Sequence, residues 1–214
     1  MRAVLRRLEG AYGRPRNGSR RAPLDELILT VLSQNTNDRN RDRAYAALRD
    51  RYPRWEDVLA ASDAGVARTI RAGGLANQKA ARIRRILTVL QEQRGKLDLE
   101  FLRRWSVPRA AEYLSTFQGV GEKTINCVLL FSMNKAAFPV DTHVHRLAIR
   151  LGFAPERAGA HEVHGIMHAL VPEEQYYPAH MNLIRHGREI CGARRPDCGA
   201  CVLADLCPSR ADGG

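Results

Sequence analysis

For so basic a chain, lysine is nearly absent: of the 34 Lys and Arg among 214 residues, only Lys79, Lys96, Lys123 and Lys135 are lysine, and 30 are arginine. Arginine's planar fork suits phosphate, so each retained lysine draws attention to what an amine can do and a guanidinium cannot. Long apolar runs are also missing. Nothing approaches the roughly 18 consecutive apolar residues of a membrane span, and the opening MRAVLRRLEG is too charged for a signal-peptide core. The expectation is a soluble intracellular protein with no membrane partner. There is no period-2 strand pattern, fixed-period repeat, low-complexity tract or long linker, which excludes sheet, solenoid and array architectures. Cysteines number five, and four fall within residues 191–207. In a reducing compartment such a cluster points to metal more than to disulfides.

What is present in excess is positive charge. The formal net charge is +11, distributed as +6 over residues 1–23, +6 over 24–135 and −1 over 136–214. Such an imbalance solubilises a protein, and it also favours a polyanionic partner, with nucleic acid the first candidate. Apolar positions recur at helical spacing, as in Leu24, Leu27, Ile28, Val31 and Leu32 after Pro23, and in Ile83, Ile86, Leu87 and Leu90 before Gly95. Further helices are predicted at 39–51, 55–60, 63–71, 107–116, 122–133, 142–151, 160–170 and 175–190. The Arg-rich first 23 residues read as partly mobile, and Ala211–Gly214 as frayed. The fold class is therefore all-α, with two helical lobes expected to flank a cleft. The domains read as 24–135, with 1–23 and 136–214 together forming the other.

Three motifs carry chemistry. Cys191, Cys198, Cys201 and Cys207 form a C-x6-C-x2-C-x5-C array. Structural zinc usually uses two knuckle pairs with a longer spacer, whereas compact all-cysteine ligation suits a 4Fe-4S cluster, one thiolate per iron. Zinc stays the weaker alternative and paired disulfides weaker still. Cys127 reads as a small core hydrophobe. The second motif is Phe117-Gln118-Gly119-Val120-Gly121-Glu122-Lys123-Thr124, between two helical patterns, where Gly119 and Gly121 permit a sharp hairpin and the next helix opens on free N–H groups. A plain packing corner would use the same glycines. The third is Val140-Asp141-Thr142-His143-Val144-His145-Arg146, in which Asp141 is placed as a helix N-cap. His143 and His145, at i and i+2, do not share a helix face, which argues against a two-histidine metal site.

Together, GVGEKT, VDTHVHR beginning soon after it, and the cysteine tail resemble the endonuclease III family of DNA glycosylases, the helix-hairpin-helix enzymes with an iron-sulfur cluster. The match runs from about Pro23 to Cys207. The resemblance implies a helix-hairpin-helix all-α fold with a DNA-binding cleft and a C-terminal 4Fe-4S loop. It implies Lys123 as nucleophile, Asp141 as its catalytic partner, and the four cysteines as cluster ligands. By the same resemblance Gln34 and Asn35 belong to the loop that fills the hole left by a flipped base, and Leu75 to the loop that wedges into the duplex. Gly119, Val120, Gly121 and His143 are further DNA-binding candidates. The implied partner is double-stranded DNA containing damaged bases or abasic sites, bound by a monomer in the cytoplasm, nucleoid-associated if the source is bacterial.

The implied activity is bifunctional: removal of oxidised pyrimidines by base flipping, then strand cleavage through a lysine Schiff base and β-elimination. A neutral amine is the attacking species, and a helix N-terminus disfavours the ammonium form. A carboxylate at Asp141 can stabilise the oxocarbenium-like charge that builds on the sugar. Four positions depart from the family's commonest pattern: Gln118 for proline, Glu122 beside the lysine, Asn35 for glutamine, and His145 at an often apolar site. The stretch LLFSMNKAAFPVDTHVHRLAIRLG also looks similar to plant 5-methylcytosine DNA glycosylases. The alternatives are accordingly a glycosylase for another modified or mismatched pyrimidine, or a damage-binding protein with little or no catalysis.

Overall fold

The computed structural model describes residues 1–18 and 21–210, and Ala211–Gly214, expected to fray, lie outside them. In chain order the α-helices are α1 (Arg2–Tyr12), α2 (Pro23–Ser33), α3 (Asp38–Arg51), α4 (Trp55–Ala60), α5 (Asp63–Thr69), α6 (Ala76–Arg94), α7 (Val107–Ser115), α8 (Glu122–Cys127), α9 (Thr142–Arg150), α10 (Ala160–Leu170) and α11 (Tyr176–Glu189). Short 3-10 turns lie at Arg71–Gly73, Glu100–Arg104, Glu173–Gln175 and Ala204–Leu206. No strand occurs among the described residues, and no helix there is long and apolar enough to cross a membrane.

The chain divides into two units, Arg20–Met133 and a discontinuous one made of Met1–Ser19 with Asn134–Gly214. Relative to the boundaries read from sequence, Arg21–Pro23 go with α2 and Asn134–Lys135 with the cysteine-bearing unit.

In the continuous unit α2 is the central helix. Leu24, Glu26 and every residue from Leu27 to Leu32 are buried, the pattern of a helix surrounded on all sides. It packs on α3, α6, α8 and the segment after α8. Caps explain the boundaries around it: Asn37 Oδ1 accepts from the Asn40 N–H (2.9 Å) at the start of α3, and Ser62 Oγ from Gly65 (3.1 Å) at the start of α5. Gly95, at φ 66°, ends α6. The predicted helix over 122–133 is α-helical only to Cys127. From Val128 to Ser132 it widens into a π-turn, where Ser132 Oγ donates back to the Val128 carbonyl (2.5 Å) and Arg103 donates to the Ser132 carbonyl (2.6 Å). Cys127 is buried.

The discontinuous unit is organised on α11, against which α1 and α9 pack. The N-terminal segment is a helix: Val4, Leu5 and Leu8 are buried, Asn182 Nδ2 donates to the Gly13 carbonyl (2.9 Å), and the Tyr12 hydroxyl meets His186 Nδ1 (2.9 Å). Arg2, Arg6 and Arg7, part of the charge density that reads as mobility, lie on the outer side of a docked amphipathic helix.

Candidate active site and iron-sulfur loop

Phe117 anchors the hairpin between α7 and α8. Its ring stands edge-on to Tyr113 at 5.5 Å, and Tyr113 in turn meets Phe101 at 5.3 Å. The turn closes with the Val120 N–H donating to the Phe117 carbonyl (3.0 Å), so Val120 uses its N–H internally and buries its side chain. The two glycines differ. Gly119 sits at φ 82°, and a Cβ there would lie 2.3 Å from Arg82 Nε; Gly121 has φ −92° and open space around its Cα. Only Gly119 is required by the local backbone. Lys123 follows in the first turn of α8, half-buried.

Sequence reasoning missed Glu26, which α2 buries. Burial pushes its carboxyl above the usual range, opposed by the positive charges of Arg21, Arg41 and Lys123. Arg21 approaches it at 3.5 Å. A pocket of about 200 Å³ beside the hairpin is lined by Gln78, Ala81, Arg82, Arg85 and Gln118. The Gln118 departure therefore places an amide, in place of a proline ring, on a wall with two guanidinium groups.

Gln34 and Asn35 follow α2 directly. Asn35 is held at φ 51° in the left-handed region, which asparagine tolerates far better than glutamine, and this accounts for the departure at that position. Gln34 accepts a hydrogen bond from Arg82. Leu75 is also left-handed, at φ 49°, and 47% exposed. A branched apolar side chain kept in a strained conformation and held out to solvent is a poor choice for stability. All of these residues, and Lys123, belong to the continuous unit.

Asp141 and His143 belong to the other unit. Asp141 caps α9, its Oδ1 accepting from the His143 N–H (3.0 Å) and the Val144 N–H (2.8 Å), which leaves Oδ2 outside the capping bonds. His143, in α9, packs against α11: a Cβ at Gly187 would come within 2.9 Å of the His143 Cβ, and Nδ1 meets the Arg146 guanidinium at 3.1 Å. This packing explains His143 without DNA.

The cysteine loop hangs from α9 and α11. Arg146 donates to the carbonyls of Gly187 (2.8 Å) and Cys191 (2.9 Å), while Arg150 reaches Cys191 Sγ (3.1 Å) and the Gly192 carbonyl (2.8 Å). On α1, Arg7 donates to Asp205 Oδ2 (2.7 Å) and the Val202 carbonyl (3.1 Å). All four thiols line one cavity of about 130 Å³. Among the described residues, no three His, Cys, Asp or Glu side chains converge closely enough to hold a single ion. A zinc site draws its sulfurs to about 2.3 Å from one point, whereas an iron-sulfur cluster takes one thiolate per iron, and the four thiols on this cavity are the groups that would hold it.

A helical unit with a glycine hairpin leading into a lysine, in a chain that also carries a four-cysteine loop, defines the class of helix-hairpin-helix DNA glycosylases. Residues 28–173 match the family model of the HhH-GPD superfamily base excision DNA repair protein, and residues 191–207 that of the iron-sulfur binding domain of endonuclease III. The endonuclease III of Thermotoga maritima is 35% identical over 193 residues, covering 90% of this chain and 86% of the relative. The chain belongs to the endonuclease III family. A putative DNA glycosylase of Arabidopsis thaliana is 43% identical over 168 residues, 78% of this chain, which spans 57% of that relative's length. Two solved structures are similar over 97% of this chain and 94% of theirs: a non-covalent endonuclease III–DNA complex (28% identity, TM-score 0.84) and a trapped endonuclease III–DNA covalent intermediate (29%, 0.83).

Proposed function

We propose that the protein is a bifunctional DNA glycosylase and AP lyase that binds damaged duplex DNA as a monomer, extrudes an oxidised pyrimidine, removes it and cleaves the strand. The observation that carries this reading is Lys123 in the first turn of α8, half-buried and directly after the Gly119–Gly121 hairpin. The neutral Lys123 amine attacks the sugar C1′, and the glycosidic electron pair leaves with the base, which takes up a proton. The Asp141 carboxylate stabilises the positive charge on the sugar and relays the proton lost from the amine. The Lys123 nitrogen then expels O4′, which takes up a proton as the sugar ring opens, and the iminium so formed acidifies the C2′ proton, whose loss expels the 3′ phosphate. The trapped covalent complex solved for a family relative supports a covalent route.

Leu75, Gln34 and Asn35 hold the gap open while the nucleotide is out of the stack, and the hairpin and the exposed Arg194 and Arg195 meet phosphates. Cys191, Cys198, Cys201 and Cys207 would hold a 4Fe-4S cluster, which when bound fixes the shape of this loop.

Borohydride trapping on duplexes carrying an abasic site or thymine glycol tests the reading. A covalent adduct is expected from the intact protein, and Lys123→Ala should abolish it while still binding DNA. No adduct from the intact protein on either duplex overturns the lyase assignment, and an adduct retained by Lys123→Ala overturns the choice of amine.

A further inference from the structure

Lys79 is only 2% exposed and has no carboxylate partner in its hydrogen-bond set. Its Nζ donates to the Leu32 carbonyl (2.8 Å) and to the Gly73 carbonyl (2.8 Å). Leu32 lies in the last turn of α2, whose carbonyls lack helical N–H partners, and Gly73 ends the 3-10 turn Arg71–Gly73. A cation at two such ends meets the negative pole of each. Burial and the neighbouring Arg82 charge hold this amine below the ordinary lysine range.

The two carbonyls are the roots of the two strained loops. Ser33, Gln34 and Asn35 follow Leu32, and Gly74 and Leu75 follow Gly73. One turn further along α6, Arg82 donates to Gln34 and lies against the bare Cα of Gly119. The first two turns of α6 thus touch the Gln34–Asn35 loop, the Leu75 loop and the hairpin. An ammonium presents its donors tetrahedrally from one point, and a guanidinium does not. Close packing reinforces the restriction, since a Cβ at Gly73 would already sit 3.2 Å from Ala44 Cβ. Lys79 is thus, like Lys123, one of the four retained lysines at which an amine does what a guanidinium cannot.

We propose that Lys79 is a positioning residue that locks the Gln34–Asn35 loop and the Leu75 loop into one frame, so that gap filling and wedging act together when a nucleotide is extruded. The proposal rests on the reading that these loops enter the duplex. Its effect is on extrusion and not on bond-making, because Lys79 meets backbone carbonyls and no reacting group.

The test uses the full chain with its iron-sulfur group. One arm measures fluorescence of 2-aminopurine placed opposite a tetrahydrofuran abasic analogue, which reports unstacking and needs no lyase chemistry. The other measures borohydride trapping on an abasic duplex and on the same abasic strand alone, where nothing must be extruded. Lys79→Met should lose the fluorescence rise and slow duplex trapping about tenfold to a hundredfold. Single-strand trapping should stay within about twofold. Because Lys79 acts through the loop, Lys79→Met with Leu75→Ala should be no slower than the slower single variant, within about twofold.

Multiplied effects, or equal losses on duplex and single strand, overturn the proposal. A loss in Leu75→Ala with wild-type behaviour in Lys79→Met overturns the frame alone. No loss in Leu75→Ala overturns the reading of that loop and the frame with it. If the intact protein forms no adduct, the lyase reading fails and the fluorescence arm still decides the frame. Lys79→Gln, which keeps a donor, replaces Lys79→Met should the latter not fold. Failure of both to fold counts against the proposal, since Lys79 would then hold the whole unit together.

Discussion

Gly119 and Gly121 look alike in sequence and should fail in opposite ways when each is replaced by alanine. At Gly119 the backbone is left-handed, φ 82°, which costs a residue with a Cβ about 1–2 kcal/mol. The new methyl would also fall 2.3 Å from Arg82 Nε and 2.6 Å from its Cζ, so the guanidinium must swing aside and leave Gln34. Losing that hydrogen bond adds about 0.5–1.5 kcal/mol, for a total of about 1.5–3.5 kcal/mol. In a chain of this size the midpoint should fall by about 3–14 °C. Gly121 is extended, with nothing within 4 Å of a Cβ. Gly121→Ala should therefore change stability by less than about 1 kcal/mol, because the freedom lost by the unfolded chain is opposed by the preference of the α8 N-cap for glycine over alanine. On the proposed function the open space there admits the duplex, so the same change should weaken duplex binding. Thermal melting by circular dichroism and fluorescence anisotropy with a labelled duplex at fixed salt measure the two effects. Equal falls in melting temperature would refute the distinction, and unchanged affinity in Gly121→Ala would refute the role given to open space.

Three further outcomes follow from the same contacts. Burial raises the Glu26 carboxyl above its ordinary value of 4.5, so the folded state binds the extra proton and the wild type loses stability as pH rises from about there through the raised value. Glu26→Gln should melt higher than wild type at pH 7, and the gain should vanish below pH 4.5; a gain that grows on acidification contradicts this sign. Asp141→Asn should keep the α9 cap and the melting temperature, Asp141→Ala should lose about 1 kcal/mol, and both should lose base release, measured on a single-lesion duplex. Full turnover in Asp141→Asn would reduce Asp141 to a cap. Arg146→Met would leave the Cys191 and Gly187 carbonyls without their donor, so visible absorbance per mole of protein should fall; an unchanged spectrum means the loop needs no such clamp.

The helices that sequence shows well are those with their own signals. Pro23 and the apolar stripe announce α2, Asp141 announces α9, and Gly95 stops α6. The start of α6 is harder to read, because Leu75 caps it in a left-handed conformation that no leucine advertises, and so Lys79 falls ahead of the apolar stripe that opens at Ile83. Its role is set by a carbonyl 47 residues away. Glu26 is hidden for a similar reason: it sits beside Asp25 in what reads as the charged side of a first turn, and only packing around the whole of α2 buries it. The π-turn after Cys127 is apolar through Phe131, which an α-helix would accommodate equally, so periodicity cannot separate the two. The cysteine array was legible as a ligand set, whereas the arginines that shape it come from α9 and α1, far off in sequence.

The discontinuity of the cysteine-bearing unit has a consequence for the order of synthesis. Helix α1 is made well before α11, the helix its Val4, Leu5 and Leu8 side packs on, which follows more than 160 residues later. Residues 20–133 form their own compact unit and can fold in that interval, as domains do while a chain is still being elongated. The cysteines at 191–207 come after α11, and their loop is tied down by Arg7 of the waiting helix. Iron-sulfur loading of a tied-down loop is thereby placed after the synthesis of α11, by which time residues 20–133 have all been made.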